Sequence, residues 1–397
     1  MNTNRKRLTK EQLRELNGYY KTECVVAGGK GKAEWHHLDD DPINTVIPNM
    51  IPLGHRYNLH LRDVRKATLG GSSSPTILLP ELEPDSLEAR STLLFSTWEL
   101  GRAYGCARLA VFIARQYLGE PPDSLIRRSC RALYLTRHRV SYALMADVLE
   151  RDILPHLRRR ISLSSVAKFL LVRELAGILS EHGEIEWADE LYSAIELHTA
   201  ALPVDDQSFA GAIRRKATTA GALGDGVKET NQLFEEALSV AGNNLNLQTS
   251  VLNSRAWLAI QAGDFRGALE LLEPIVGKLH NRVISPGLDE PVPINATAWN
   301  VAELFHNFAI ALSGAKPSGY RARREKALES AQGVFSYAGS RPYELRRGFW
   351  AETKGRAELS GLSESNAIPF RTGLPLEIGK QIKEAVMELN AGGGSLR

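Results

Sequence analysis

The sequence predicts a mostly α-helical protein that carries a small mixed head at its N-terminus. Three observations lead there. Helical periodicity dominates from about residue 86 to about residue 390, with little β signal. Four of the ten histidines, His36, His37, His55 and His60, fall within 25 residues near the front. Residues 1–66 hold 12 Lys+Arg against 8 Asp+Glu, and the rest of the chain holds 37 against 38. The formal net charge of +3 therefore belongs to the head.

Composition narrows the class. With 43% hydrophobic and 24% charged residues, the chain is neither wholly disordered nor collagen-like. Cys24, Cys106 and Cys130 are too few and too scattered for a disulfide framework, so a reducing, cytoplasmic setting is expected. No apolar run reaches the roughly 18 residues of a membrane span. The basic N-terminus lacks an apolar core of the secretory kind. No membrane association is expected.

The elements follow in order. In LTKEQLRELNGYY, Thr9 is a candidate N-cap, with Glu11 and Gln12 in the first turn and Leu13 and Leu16 at helical spacing. The next stretch alternates short β-prone pieces around GGKGK at 28–32, which predicts a hairpin of Cys24–Val26 with Ala33–His36. An Asp-rich loop broken by Pro42 and Pro48 leads to a segment that turns helical from about His55. The order read is strand, strand, loop, helix, over residues 1–66. LGGSSSP sits within a flexible linker placed at 67–85. The helical region runs over 86–390, and residues 391–397 form a frayed tail.

Repeats occur in the helical region. Ala176, Gly183, Ala188 and Tyr192 share offsets with Ala256, Gly263, Ala268 and Leu272. Ala217, Gly224, Phe234 and Ala237 fit with one inserted residue. These offsets resemble the tetratricopeptide (TPR) repeat, in which small residues let two antiparallel helices approach and Gly makes the turn. The glycines stand 41 and 39 residues apart, longer than the usual 34 or so, so the array is TPR-like and divergent. That resemblance implies a surface for a protein or peptide partner. The six scattered histidines, His138, His156, His182, His198, His280 and His306, read as surface or capping residues. The basic clusters at 127–131, 137–139, 158–160 and 321–324 read first as solvated helix faces. The first three are the nearest in sequence to the head should a patch extend a nucleic-acid groove.

The string AEWHHLDDDPINTVIPNMIPLGHRYNLHL carries the chemistry. His36-His37-Leu38-Asp39, Asn44 and Asn49-Met50-Ile51-Pro52-Leu53 are followed by a helix from near His55. This pattern resembles the HNH, or ββα-metal, endonuclease family over about residues 15–66. The resemblance implies a nuclease that uses one divalent cation, Mg²⁺ or Mn²⁺, with Ni²⁺ or Zn²⁺ as alternatives. It implies that His36 is a metal ligand, that His37 is the general base, and that Asn49 orients the loop and holds the base. Imidazole suits proton transfer near neutral pH, and a divalent cation neutralises phosphate charge.

Two departures from the family pattern bear on the site. The last ligand falls nine residues beyond the Asn, at Asn58, giving the H-N-N form of the HNH domain in RNA-guided CRISPR nucleases. A gapped reading uses His55 instead, a stronger ligand for borderline metals. The positions that many members fill with four zinc-binding cysteines are Cys24, Ala27, Gly54 and Tyr57, so no structural zinc is expected. Asp39 is a candidate for orienting a ligand, and Asp40 and Asp41 read as a solvated acidic loop. Lys30, Lys32, Arg56, Arg62 and Arg65 are candidate phosphate contacts, as is His60. The fusion of nuclease head and repeat array resembles bacterial anti-phage defence effectors. Alternatives left open are RNA cleavage by the same chemistry and a non-catalytic scaffold with a decayed head. A homo-oligomer is plausible, because one HNH site cuts one strand.

Overall fold

The computed structural model describes residues 8–20, 23–28, 33–38, 49–69, 78–96, 99–139, 142–199, 206–224, 227–283, 296–337 and 374–391. Helix α1 (Lys10–Tyr20) starts at a capping box. The Thr9 hydroxyl accepts from the Gln12 amide at 3.2 Å, and Gln12 Oε1 accepts from the Thr9 amide at 3.0 Å. Strands β1 (Ala33–His37) and β2 (Met50–Gly54) pair antiparallel, with His37 opposite Met50 and His36 opposite Ile51. Helix α2 (His55–Leu69) follows β2 directly, beginning where the sequence indicated.

The pairing corrects the expected hairpin. Residues 25–27 form a turn where the strand was expected, and the partner of β1 is β2, across the intervening loop. Cys24, Val25 and Val26 are all buried, so their side chains do not alternate as those of a half-exposed strand would. Val25 still reaches the sheet, donating its amide to the Pro52 carbonyl at 3.0 Å. Pro52 is tolerated within β2 because both strands of a two-stranded sheet are edges.

A short 3₁₀ turn (Pro80–Leu82) precedes α3 (Pro84–Ser96), α4 (Leu100–Gln116), α5 (Pro122–Arg139) and α6 (Tyr142–Val148). A π-helical turn (Leu149–Ile153) leads into α7 (Leu154–Arg158). The expected linker at 67–85 needs correction at both ends. Residues 67–69 finish α2, and residues 78–85 are fixed by the buried Leu82 and by the Leu79 amide, which donates to His60 Nε2 at 3.2 Å. Residues 70–77 lie outside the described residues.

Then come α8 (Ser165–Glu181), α9 (Ile185–Thr199), α10 (Asp206–Leu223), α11 (Val227–Ala241), α12 (Leu245–Gln261), α13 (Phe265–Val283), α14 (Ala296–Ala315), α15 (Tyr320–Tyr337) and α16 (Leu376–Ala391). The described residues fall into two compact units, one drawn from 1–95, 99–174 and 375–397, the other from 96–98 and 175–374. The divisions expected at 66 and 86 follow composition; the packing instead joins the head to α3–α7. Gly105 of α4 presses on Val25, Cys106 Sγ donates to the Val25 carbonyl at 3.1 Å, and Arg90 Nη1 donates to the Val26 carbonyl at 2.6 Å. Helix α16 returns to this unit, where Arg158 Nε donates to Glu384 Oε1 at 2.6 Å.

The second unit is built of helix pairs. The turn glycines Gly183, Gly224 and Gly263 share φ values of +84°, +82° and +77°, a region open to glycine and strained for other residues. Glu184 donates to the Leu179 carbonyl and Asp264 to the Ala259 carbonyl, equivalent bonds that close the C-termini of α8 and α12. Ala176, Ala188, Ala217, Ala237, Ala256 and Ala268 are fully buried, which lets helices approach closely. One histidine expectation fails, since His306 is buried on α14, whereas the buried His182 caps the end of α8, its ring nitrogen 2.7 Å from the Ile178 carbonyl. Among the described residues, no helix is long and apolar enough to cross a membrane.

Candidate active site

Strand alternation sorts the motif residues. Glu34 and His36 share one face of β1, and Trp35 and His37 share the other. Trp35 meets Tyr20 of α1 edge-on, with ring centroids 6.2 Å apart. The buried His36 packs edge-on against Phe112 of α4, at 5.4 Å. Facing the Glu34–His36 side is the first turn of α2.

Four polar side chains form a chain there. His36 Nδ1 lies 3.0 Å from Asn58 Oδ1. Asn58 Nδ2 donates to Glu34 Oε2 at 2.6 Å, and Glu34 Oε1 lies 2.7 Å from His55 Nδ1. The carboxylate can only accept, which fixes the Asn58 amide orientation and makes its oxygen an acceptor. With no ion bound, His36 Nδ1 therefore carries the proton and the lone pair of the neutral ring sits on Nε2; an ion shared by His36 and Asn58 would have to take the place of that Nδ1 proton. His36 Nε2 and His37 Nε2 are both shielded from solvent, whereas His55 is largely exposed.

The fold thus brings His36, Asn58 and His55 together through Glu34, a residue that the sequence analysis passed over. Its signal was available, because two residues before His36 on a strand is the same face. The fit to a divalent cation is partial. Among the described residues, no group of three His, Cys, Asp or Glu is placed to hold a metal. A coordination sphere built on His36 would need the Asn58 amide oxygen and water to complete it. Asp39–Asp41 and Asn44 lie outside the described residues.

Asn49 is fully buried at the start of β2. Its carbonyl accepts from the Leu38 amide at 2.8 Å, one residue past His37. Its side-chain Oδ1 accepts from Arg151 Nη1 at 3.1 Å. Arg151 belongs to the π-helical turn, 102 residues away in sequence, and no local pattern announced it.

The candidate phosphate contacts are dispersed. Arg56 is exposed, lies over the Tyr57 ring and pairs with Glu81 at 3.5 Å. Arg62 is exposed beside Asp63, Arg65 is half-buried, and the Nε2 of His60 holds Leu79. Lys30 and Lys32 lie outside the described residues. The reading of the basic clusters as solvated faces holds at 158–160 and at Arg321 and Arg323, which are exposed, and is corrected at Arg128, Arg131 and Arg137, which are half-buried or buried. Arg128 pairs with Asp85, Glu88 and Glu120, Arg137 is buried against Glu174, and Arg158 pairs with Glu150 and Glu384. Arg127, Arg159 and Arg160 remain exposed.

The four positions at which many HNH proteins carry zinc cysteines lie side by side. A Cβ at Gly54 would sit 3.6 Å from both Cys24 Sγ and Tyr57 Cδ2, and the Ala27 amide donates to Cys24 Sγ at 3.4 Å. In this chain those positions hold one thiol, a methyl group, a glycine and a phenol.

No protein-family model matches the chain, and no curated protein or solved structure is significantly similar to it.

Proposed function

We propose that this protein is a metal-dependent endonuclease of the HNH type, hydrolysing phosphodiester bonds in DNA. The single observation that carries the reading is the meeting of His36 and Asn58, at 3.0 Å across β1 and α2. The H-N-N reading requires that pair to be neighbours, and 22 residues separate them in sequence. The gathering of Cys24, Ala27, Gly54 and Tyr57 adds independent support.

In this reading, His36 and Asn58 hold one Mg²⁺ or Mn²⁺ ion, with His55 in reserve through Glu34. When bound, such an ion supplies Lewis-acid neutralisation of the phosphate and of the leaving oxygen. His37 takes a proton from the attacking water on a ring nitrogen. Asn49 anchors the strand end that carries His37, through its bond with Leu38. Arg56, Arg62 and Arg65 on α2 contact the strand being cut, with Lys30 and Lys32. The helix pairs of the second unit present a TPR-like surface to a protein or peptide that targets or triggers cleavage. A cytoplasmic defence effector that oligomerises to make two cuts fits that arrangement by analogy.

The test is nicking of supercoiled plasmid with Mg²⁺ or Mn²⁺, comparing wild type with His37→Ala. The expected loss is on the order of 10²–10⁴-fold, the worth of a general base. Equal cleavage by both proteins would refute the assignment. An RNA substrate run in parallel decides between the two nucleic acids. A head that binds DNA but neither binds Mn²⁺ nor cuts would point to the scaffold reading.

A further inference from the structure

Beside Asn49 lies a buried cluster of charge. Arg151 Nε donates to Asp147 Oδ1 at 2.8 Å, and Arg108 Nη2 donates to Asp147 Oδ2 at 2.7 Å. Arg108 also pairs with Asp152, which accepts from Arg115 Nη1 at 2.8 Å. Arg115 Nη1 reaches the Arg151 carbonyl as well, at 3.3 Å. Arg151 is therefore held at both ends, its guanidinium by Asp147 and its backbone by Arg115. A π-turn is wider than an α-turn and often marks a functional position in a helix. Here it brings Arg151 and Asp152, neighbours in sequence, into one cluster with two arginines of α4. The same helix carries Phe112, which touches His36.

We propose that Arg151 is a positioning residue for the candidate nuclease site, acting through Asn49 on the strand end that bears His37. This rests on the nuclease reading for its chemistry and on the Arg151–Asn49 contact for its geometry. The route is short: Arg151 Nη1 to Asn49 Oδ1 at 3.1 Å, then the Asn49 carbonyl to the Leu38 amide at 2.8 Å. It follows that the ββα head does not set its own geometry. The π-turn of the helical region completes the site, and whatever moves that turn moves His37. Among the described residues, three guanidinium groups meet two carboxylates in the cluster. Burial, with the crowding of Arg108 and Arg151, brings the pKa of Arg115 down to about 10.

The experiment uses the full chain and two readouts. Arg151→Met, Arg151→Lys and Asp147→Asn are compared with wild type in plasmid nicking with Mn²⁺. In parallel, the Asn49 side-chain amide signal is followed by NMR in protein labelled at Asn, assigned with Asn49→Asp. For Arg151→Met, kcat falls on the order of 100-fold, the cost of a small misplacement, and KM for DNA changes less than twofold. Arg151→Lys recovers part of that loss, and the Asn49 signal shifts in Arg151→Met. Wild-type kcat with an unmoved Asn49 signal overturns the proposal, as does a loss confined to KM. If wild type cuts nothing, the nuclease reading falls, and the Asn49 signal alone decides the positioning role. If Arg151→Met does not fold, Arg151→Lys and Asp147→Asn carry the same decision: an Asn49 signal unmoved in both overturns it.

Discussion

Gly105 and Val25 touch where α4 crosses the head: a Cβ at position 105 would fall 2.4 Å from Val25 Cγ1. Tyr20 of α1 closes the same spot, 3.3 Å from that position. No side chain other than hydrogen fits without movement of Val25, which is itself fully buried. Gly105→Ala gains up to about 1 kcal/mol of helix propensity. Overpacking costs about 1–3 kcal/mol. The net expectation is a loss of about 1 kcal/mol in urea denaturation, and a more stable variant would show that the contact yields.

Glu34 holds Asn58 and His55 in place from β1. Glu34→Gln replaces an acceptor-only group with one that also donates, so it cannot satisfy both partners as the carboxylate does. Outer-sphere partners of this kind typically change metal affinity by about 10–100-fold. Calorimetric titration with Mn²⁺ should show weakening of that size. An unchanged Kd would remove Glu34 from the site.

Arg137 and Glu174 form an ion pair with both side chains about 1% exposed. Arg173 also bonds Glu174, at 2.7 Å, so the carboxylate keeps one cation if Arg137 is lost. Removing one partner of a buried pair costs about 3–5 kcal/mol, and Arg137→Met should fall at the low end of that range. Replacing both Arg137 and Glu174 with apolar residues should recover part of the loss in thermal unfolding.

His306 gives the second unit a pH dependence. Burial brings its pKa from 6.5 down to about 3. In the unfolded chain it titrates near 6.5. Between those values the unfolded state binds the extra proton, so stability is complete above pH 6.5 and falls steadily as the pH drops towards 3. The full effect is on the order of 5 kcal/mol. His306→Gln should flatten the acid side of the stability profile, and an unaltered profile would refute the assignment.

Much of this molecule was legible where the determinant is local. Thr9 with Gln12 announced the start of α1, the residue types around His55 announced α2, and the glycines at 183, 224 and 263 announced their turns. Failures came where the determinant is distant. Cys24–Val26 followed by a Gly-rich turn looks like a strand of a hairpin, and the sequence reading expects no strand at 50–54. Tertiary packing reversed both, because α4 covers Val25 and the sheet has only two strands. At the site, spacing brought out His36 and Asn58 together. Arg151 reaches Asn49 from over a hundred residues away, and nothing near Asn49 in sequence points to it.

The return of α16 to the unit that contains the head has a consequence for the order of events on the ribosome. Residues 175–374 are synthesised before α16, yet they belong to the other unit. Glu384 can reach Arg158 only after the whole helical array has been translated. The helix that completes the unit around His36 therefore emerges only after the whole of the other unit. A premature stop anywhere in the array strips α16 from the unit that contains the head, so prematurely terminated chains lack a complete first unit.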